Sequence, residues 1–355
     1  MNRPAIPVRA DLELMEGYHS PQVDVSVRLN TNESPFPPPA AWLDALRSEL
    51  AGVPFHRYPD RRATALRRAI AHDHGVRPEQ VFCANGSNEA LQCLLLAFGG
   101  TDRTVATFEP TYALHTHIAR LTGTPTVAGE RNHDFTLDLG EVERVVAETR
   151  PAITFLCSPN NPTGLCETPS TVRSVLDLAP GLVVVDEAYG QFAAWSAMDI
   201  LDASDRLVVV RTFSKTWSMA AARLGYLVAS EPVVTSLESV ALPYHLDSVK
   251  QLAGRLALQF KPEMHARVSM LKEERSRLFA ALGDLDVETW PSEANFILFR
   301  PLRREAGEVW QRLLEHSVLV RDCSRWPRLA GCLRVTVGTQ EENSAFLVAL
   351  RKCLS

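Results

Sequence analysis

Lysine is scarce in this chain of 355 residues. Only five of its 37 Lys and Arg residues are lysines, namely Lys215, Lys250, Lys261, Lys272 and Lys352. Arginine cannot shed its proton to become a nucleophile, so the first lysine, well past the middle of the chain, draws attention to amine chemistry. No lysine follows a glycine, which removes the G-x-x-x-x-G-K-[ST] phosphate loop, and a G-x-G-x-x-G turn after a strand is absent as well. No apolar run approaches the roughly 20 residues that span a bilayer. The opening MNRPAIPVRADLELMEG lacks the apolar stretch of a signal peptide. A cytoplasmic protein without membrane association is expected. The seven cysteines include no C-x-x-C pair and read as reduced, packed thiols. The two His-x-His pairs, His72/His74 and His115/His117, fall in helical surroundings, where residues two apart do not share a face, so no metal site is expected. A net charge of −5 argues against nucleic acid as a partner.

What is present reads as alternating helices and strands. Amphipathic helices are expected over about 41–51 and 63–74, the second ending at the glycine of TALRRAIAHDHG, and NGSNEALQCLLLAF reads as a tight turn opening a helix. The runs TVATF (104–108), AITFLC (152–157), LVVVDEA (182–188), RLVVVRTF (206–213) and RLGYLVA (223–229) are apolar without polar alternation. Such strands, separated by helical stretches, predict a buried parallel sheet in an α/β protein. From 246 a long helical stretch to about 282, then WPSEANFILFRP, another helix and CLRVTVGT, suit a smaller α/β lobe. The expected organisation is an N-terminal arm (1–37), a large domain (38–245) and a small C-terminal domain (246–355).

In open α/β sheets ligands gather at the carboxyl ends of the strands. There AITFLC runs into SPNNPTG with Asn161, LVVVDEA carries Asp186, and RLVVVRTF runs into SKT with Lys215. A lysine amine bonds an aldehyde cofactor, and a buried carboxylate such as Asp186 would keep a pyridine nitrogen protonated, which together describe a pyridoxal phosphate site. Asn161 suits the phenolic oxygen, Tyr112 an aromatic face over the ring, and Gly86, Ser87, Asn88, Ser214 and Arg223 the phosphate, with the start of a helix at 85–88 adding backbone N–H groups. Each piece has a plainer reading: SPNNPTG as a turn, VVVDEAY as a magnesium-binding strand, FSKT as an exposed turn, GSNEAL as a helix start, Tyr112 as core. Their joint order, each at a strand end or helix start, favours the cofactor.

The motifs RLNTNESPFPPP, HRYPD, ANGSNEAL, PTY, SPNNPTG, VVVDEAY, RTFSKTWSMAAARLGY, ANFILF and CLRVTVGTQEEN run nearly end to end. In them the chain resembles the fold-type I pyridoxal-phosphate aminotransferases, and more narrowly the histidinol-phosphate aminotransferase family. The resemblance implies a large domain with a mostly parallel central sheet flanked by helices and a smaller α/β domain. It implies catalytic roles for Lys215 as the Schiff-base lysine and proton shuttle, for Asp186 at the pyridine nitrogen, and for Tyr189 with Asn161 at the phenolic oxygen. Tyr112 would stack on the ring, and Ser87, Asn88, Ser214 and Arg223 would hold the phosphate. Tyr58 would reach that phosphate from the second subunit of a homodimer. Arg334 and Arg321 would bind the phosphate of the substrate, with Tyr18, Asn30 and Tyr244 along its wall. The implied reaction interconverts histidinol phosphate plus 2-oxoglutarate with imidazole-acetol phosphate plus glutamate, a step of histidine biosynthesis. GSNE stands where many relatives carry GSDE, exchanging a charge for an amide at Asn88. Aromatic and specialised-metabolite aminotransferases share these motifs, and threonine-phosphate decarboxylase and non-catalytic cofactor-binding regulators remain open. DCSRWPRLAG, between Arg321 and Arg334, matches no motif.

Overall fold

The structure is a computed structural model that describes residues 6, 9, 12, 17 and 21–355. Its elements begin with β1 (Val27–Leu29), α1 (Ala40–Leu50), α2 (Thr64–His74), β2 (Val81–Ala84), α3 (Ser87–Phe98), β3 (Val105–Glu109), α4 (Leu114–Leu121) and β4 (Thr126–Glu130). Then come α5 (Leu139–Thr149), β5 (Ile153–Cys157), α6 (Pro169–Leu178), β6 (Leu182–Asp186), β7 (Leu207–Thr212), β8 (Gly225–Val228), α7 (Glu231–Val240) and α8 (Ser248–Ala257). The last part holds α9 (Lys261–Gly283), β9 (Val287–Thr289), β10 (Phe296–Pro301), α10 (Ala306–Glu315), β11 (Val318–Asp322), β12 (Leu333–Thr336) and α11 (Gln340–Leu354). Helix α2 ends as its sequence predicts, on Gly75 at φ +67°, whose N–H returns to the carbonyls of Ala71 and His72.

The larger sheet has the strand order β2-β8-β7-β6-β5-β3-β4. Alternation along its central strands sends side chains into two separate cores. Leu156, Val183, Val185 and Val209 join one cluster, and Phe155, Val184, Val208 and Val210 the other. That double burial is why these runs carry no polar alternation. Neighbours from β4 to β7 are parallel, as expected. The run at 223–229 departs from the expected parallel arrangement, because β8 lies antiparallel to β7. The connection between the two, residues 213–224, holds only a 3-10 turn at Ala220–Ala222 and sits at the lower limit of the dozen or more residues that a parallel return needs. Two strands of this sheet escaped the sequence reading. VFCA at β2 is a short run inside a helical neighbourhood, and β4 is a half-exposed edge containing Gly129. The stretch from 246 to 283 also divides, since a 3-10 turn at Leu258–Phe260 separates α8 from α9.

The smaller sheet has the order β1-β11-β12-β10-β9. Its first strand comes from the other end of the chain, with Val27 opposite Val318 and Leu29 opposite Val320 in parallel register. Segment 30–36 follows directly, so the pairing carries it across the mouth of the larger sheet.

Candidate active site

Along the larger sheet, chain order reverses direction between β3 and β5, and the ligand crevice of such a sheet opens where that happens. The two loops leaving those strands are tied together by Asn160. It is fully buried, donates to the carbonyl of Pro110 at 3.0 Å and to Thr163 Oγ1 at 2.9 Å, and accepts from Thr111 Oγ1 at 2.9 Å. Gly164, at φ +83°, turns the loop so close to Ser292 that an added Cβ would lie 2.3 Å from its Oγ. Of the two asparagines in SPNNPTG, then, one is structural. Asn161 is left to face the cavity, where its Oδ1 accepts from Arg334.

The cavity has a volume of about 350 Å³, and Asn161, Asp186, Tyr189, Ser214, Lys215 and Arg223 all line it, with Ser87, Asn88, Tyr112 and Arg334. Asp186, 1% exposed, closes β6. Its Oδ1 accepts from the backbone N–H of Ala188 at 3.0 Å, and its Oδ2 lies 3.1 Å from Nε2 of the buried His115. His115 stacks on Phe155 (4.5 Å) and meets the ring of Tyr112 edge-on (5.3 Å). This histidine went unassigned in the sequence. As half of a His-x-His pair it was weighed only as a metal ligand and set aside, whereas α4 buries it and leaves His117 partly exposed.

The floor beside β7 is built from a short hydroxyl relay. Ser214 N–H donates to Thr212 Oγ1 at 3.1 Å, Thr212 Oγ1 donates to Ser214 Oγ at 3.0 Å, and Arg223 Nη1 donates to Ser214 Oγ at 3.3 Å. Two glycines let this floor meet the start of α3. A Cβ at Gly86 would lie 2.8 Å from Nη2 of Arg223, and one at Gly225 would lie 2.4 Å from the backbone N of Ser87. Backbone N–H groups at a helix start, two hydroxyls and a guanidinium thus converge in a space kept open by missing side chains, the make-up of a phosphate cradle. The residues present fit pyridoxal phosphate: cradle at one end, a buried carboxylate at the other, an amine between.

That amine is Lys215. Its Nζ donates to the carbonyl of Thr31 at 3.1 Å and stands 5.7 Å from the centre of the Tyr189 ring. Burial, reinforced by the positive charges of Arg334 and Arg223 and opposed by Glu33, pushes its pKa down to about 7. Tyr189 is buried at the same wall, and burial holds its hydroxyl above the ordinary tyrosine range. Asn32 Nδ2 donates to that hydroxyl at 2.9 Å, while Thr336 Oγ1 donates to Asn32 Oδ1 at 3.0 Å. Asn32 sits at φ +55°, a left-handed conformation that asparagine tolerates.

Asn32 and Thr31 were missed in favour of Asn30. The structure turns Asn30 away from the cavity: its Nδ2 donates to Pro21 O at 3.0 Å and its own carbonyl accepts from Arg334 at 3.0 Å. Arg321 is not on the cavity lining either, although it faces Arg334 across the β11–β12 pair. Tyr58 is 80% exposed and stacks on Tyr244 at 4.5 Å, on an outer surface apart from the cavity lining. Gly86 acts from behind the wall through its contact with Arg223, and Tyr18 lies outside the described residues. All seven cysteines are free, and no described helix is long and apolar enough to cross a membrane.

Comparisons with known proteins give the family and the fold. Residues 25–350 match the family described as aminotransferase class I and II. The chain is 45% identical to a histidinol-phosphate aminotransferase of Frankia casuarinae, over 99% of this chain and 91% of that one. It is 44% identical to the protein of that name from Mycobacterium marinum, over 97% of this chain and 91% of that one. Among solved structures, the histidinol-phosphate aminotransferase of Sinorhizobium meliloti in complex with pyridoxal-5'-phosphate superposes with a TM-score of 0.84 at 21% identity, covering 93% of this chain and 91% of that one. That of Clostridium acetobutylicum gives 0.85 at 19% identity, covering 92% and 98%. They share the fold described above, and the chain belongs to the class I and II aminotransferases.

Proposed function

We propose that this chain is a pyridoxal-phosphate-dependent transaminase that interconverts histidinol phosphate plus 2-oxoglutarate with imidazole-acetol phosphate plus glutamate, in histidine biosynthesis. The observation that carries the reading is the cavity itself, where a near-neutral lysine amine, a buried carboxylate and a phosphate cradle meet beside Arg334. The similarity to relatives that bear this name supports the substrate. Bound in the cavity, pyridoxal phosphate supplies an aldehyde that bonds amines and a ring that accepts the electron pair left by a departing α-proton.

The chain's own residues do the rest. Ser87, Asn88, Ser214 and Arg223 hold the cofactor phosphate, assisted by the N–H groups opening α3. Asp186 presents a carboxylate to the ring nitrogen, and His115 keeps that carboxylate oriented. Tyr189 and Asn161 flank the phenolic oxygen, each steered by a second group, Asn32 and Arg334. Tyr112 covers the ring. Lys215 takes the α-proton and returns it, a task suited to an amine whose pKa lies close to the working pH. Arg334 and Arg321 receive the substrate phosphate.

The division into an arm (1–37), a large domain (38–245) and a small domain (246–355) belongs to the same reading, supported by the two sheets. So does a cytoplasmic homodimer, in which Tyr58 completes the partner's phosphate site. Exposed Phe55, Tyr58, Leu242 and Tyr244 supply an apolar surface for such a contact.

The absorption spectrum of the cofactor-loaded protein tests the reading. Histidinol phosphate should convert the visible band rapidly to the amine form of the cofactor, and phenylalanine should do so far more slowly. The reverse order would leave the cofactor site standing and overturn the substrate. Lys215→Ala should lower turnover by about four orders of magnitude or more, and normal turnover in that variant would end the assignment.

A further inference from the structure

The loop joining β11 to β12 carries Trp326, a residue to which nothing above gives a task. Arg321 and Arg334 face each other across these strands and are 8% and 4% exposed. Two guanidiniums brought together out of water repel each other and lose hydration, so something must hold them in place. Arg334 is held by neutral acceptors, Asn161 Oδ1 and the carbonyl of Asn30. Trp326 is the neighbour that the two arginines share. Its ring lies 5.3 Å from Cζ of Arg321 and 6.0 Å from Cζ of Arg334.

The position of the indole is set by the fold. Its backbone N–H donates to Cys323 O at 2.9 Å and its carbonyl accepts from Leu329 N–H at 3.1 Å, folding the loop back on itself. The ring then packs on an apolar cluster that includes Phe135, Trp290, Leu298 and Leu329. The nature of the contact matters as much as its place. A carboxylate here would fix both arginines but neutralise them, and would compete with any incoming anion. An aromatic face attracts cations through its quadrupole and leaves both positive charges intact.

We propose that Trp326 is the positioning residue of the arginine pair, holding Arg321 and Arg334 side by side and charged for one substrate phosphate group. The inference rests on the reading of the substrate as a phosphorylated amine. It assigns a role to DCSRWPRLAG, the segment that matched no motif.

The experiment compares histidinol phosphate with histidinol, the same amine without the phosphate, in cofactor-loaded wild type, Trp326→Leu and Trp326→Phe. In wild type kcat/KM should favour histidinol phosphate strongly, and inorganic phosphate should inhibit competitively. Trp326→Leu should raise KM for histidinol phosphate about tenfold and weaken phosphate inhibition similarly, with kcat and the histidinol reaction changed less than about threefold. Trp326→Phe, which keeps an aromatic face, should stay within about threefold of wild type throughout. Wild-type behaviour in Trp326→Leu overturns the proposal, as does an equal loss toward both amines, which would mark general damage to the fold. Loss in Trp326→Phe equal to that in Trp326→Leu overturns it too. If wild type itself shows no preference for the phosphorylated amine, the substrate reading fails first and takes the inference with it.

Discussion

At the scale of single residues, the chemistry of this cavity depends on how far its surroundings discharge one lysine. The folded protein lowers the pKa of Lys215 from 10.5 to about 7, chiefly by burial and then by Arg334. Between those two values the unfolded chain binds a proton that the folded chain does not. The group's contribution to the stability of the cofactor-free protein therefore rises with pH across that window and is smallest below about pH 7. The same shift is open to a chemical test. In cofactor-free protein, the rate of acylation of Lys215 by a limiting amine-selective reagent, followed by peptide mass spectrometry, should level off above a midpoint near pH 7. A midpoint near 10 would mean that the cavity does not desolvate the amine. Which residues were legible in the sequence follows from where their information lay. Asp186 ends a strand, Lys215 and Asn161 lie in the loops just past one, and all three could be placed by counting along apolar runs. Asn32 and His115 could not. One depends on a left-handed backbone angle in a loop, and the other on which side of a short helix meets the sheet.

At the scale of elements, the phosphate cradle depends on how closely β8 approaches the start of α3. Gly225 permits it, since a Cβ there would come within 2.4 Å of a backbone nitrogen, which has no rotamer to escape into. Gly225→Ala should therefore displace the first turn of α3 and weaken cofactor binding by at least tenfold in a fluorescence titration, while the far-ultraviolet circular dichroism stays close to wild type. Unchanged affinity would show that backbone N–H groups of α3 contribute little to the cradle. The antiparallel course of β8 was hidden in the sequence because its residues, GYLV, are as uniformly apolar as those of the parallel strands. Burial on both faces erases the pattern that would reveal direction, and only the length of the preceding connection carries that information. The parallel part of the sheet was legible for the complementary reason that longer connections separate its strands, three of them built around an α-helix.

At the scale of the whole molecule, Tyr58 stands apart from the cavity of its own chain, as a residue serving a second subunit would. Mixing Lys215→Ala with Tyr58→Ala under conditions that exchange subunits should regenerate one complete site in each hybrid dimer. Activity should then exceed that of either variant alone, and strict additivity of the separate activities would rule out a shared site. The pairing of β1 with β11 has a consequence of another kind, for the order of events as the protein is made. Val27 has no strand to pair with until Val318 leaves the ribosome, so β1 must wait for a strand made much later. The larger sheet needs nothing beyond β8 to be complete and can assemble in the meantime. Thr31 and Asn32 reach Lys215 and Tyr189 only once β1 is docked, so a nascent chain can carry a finished large sheet while Lys215 still faces open water. Competence for chemistry is in this way withheld until β11 has been made.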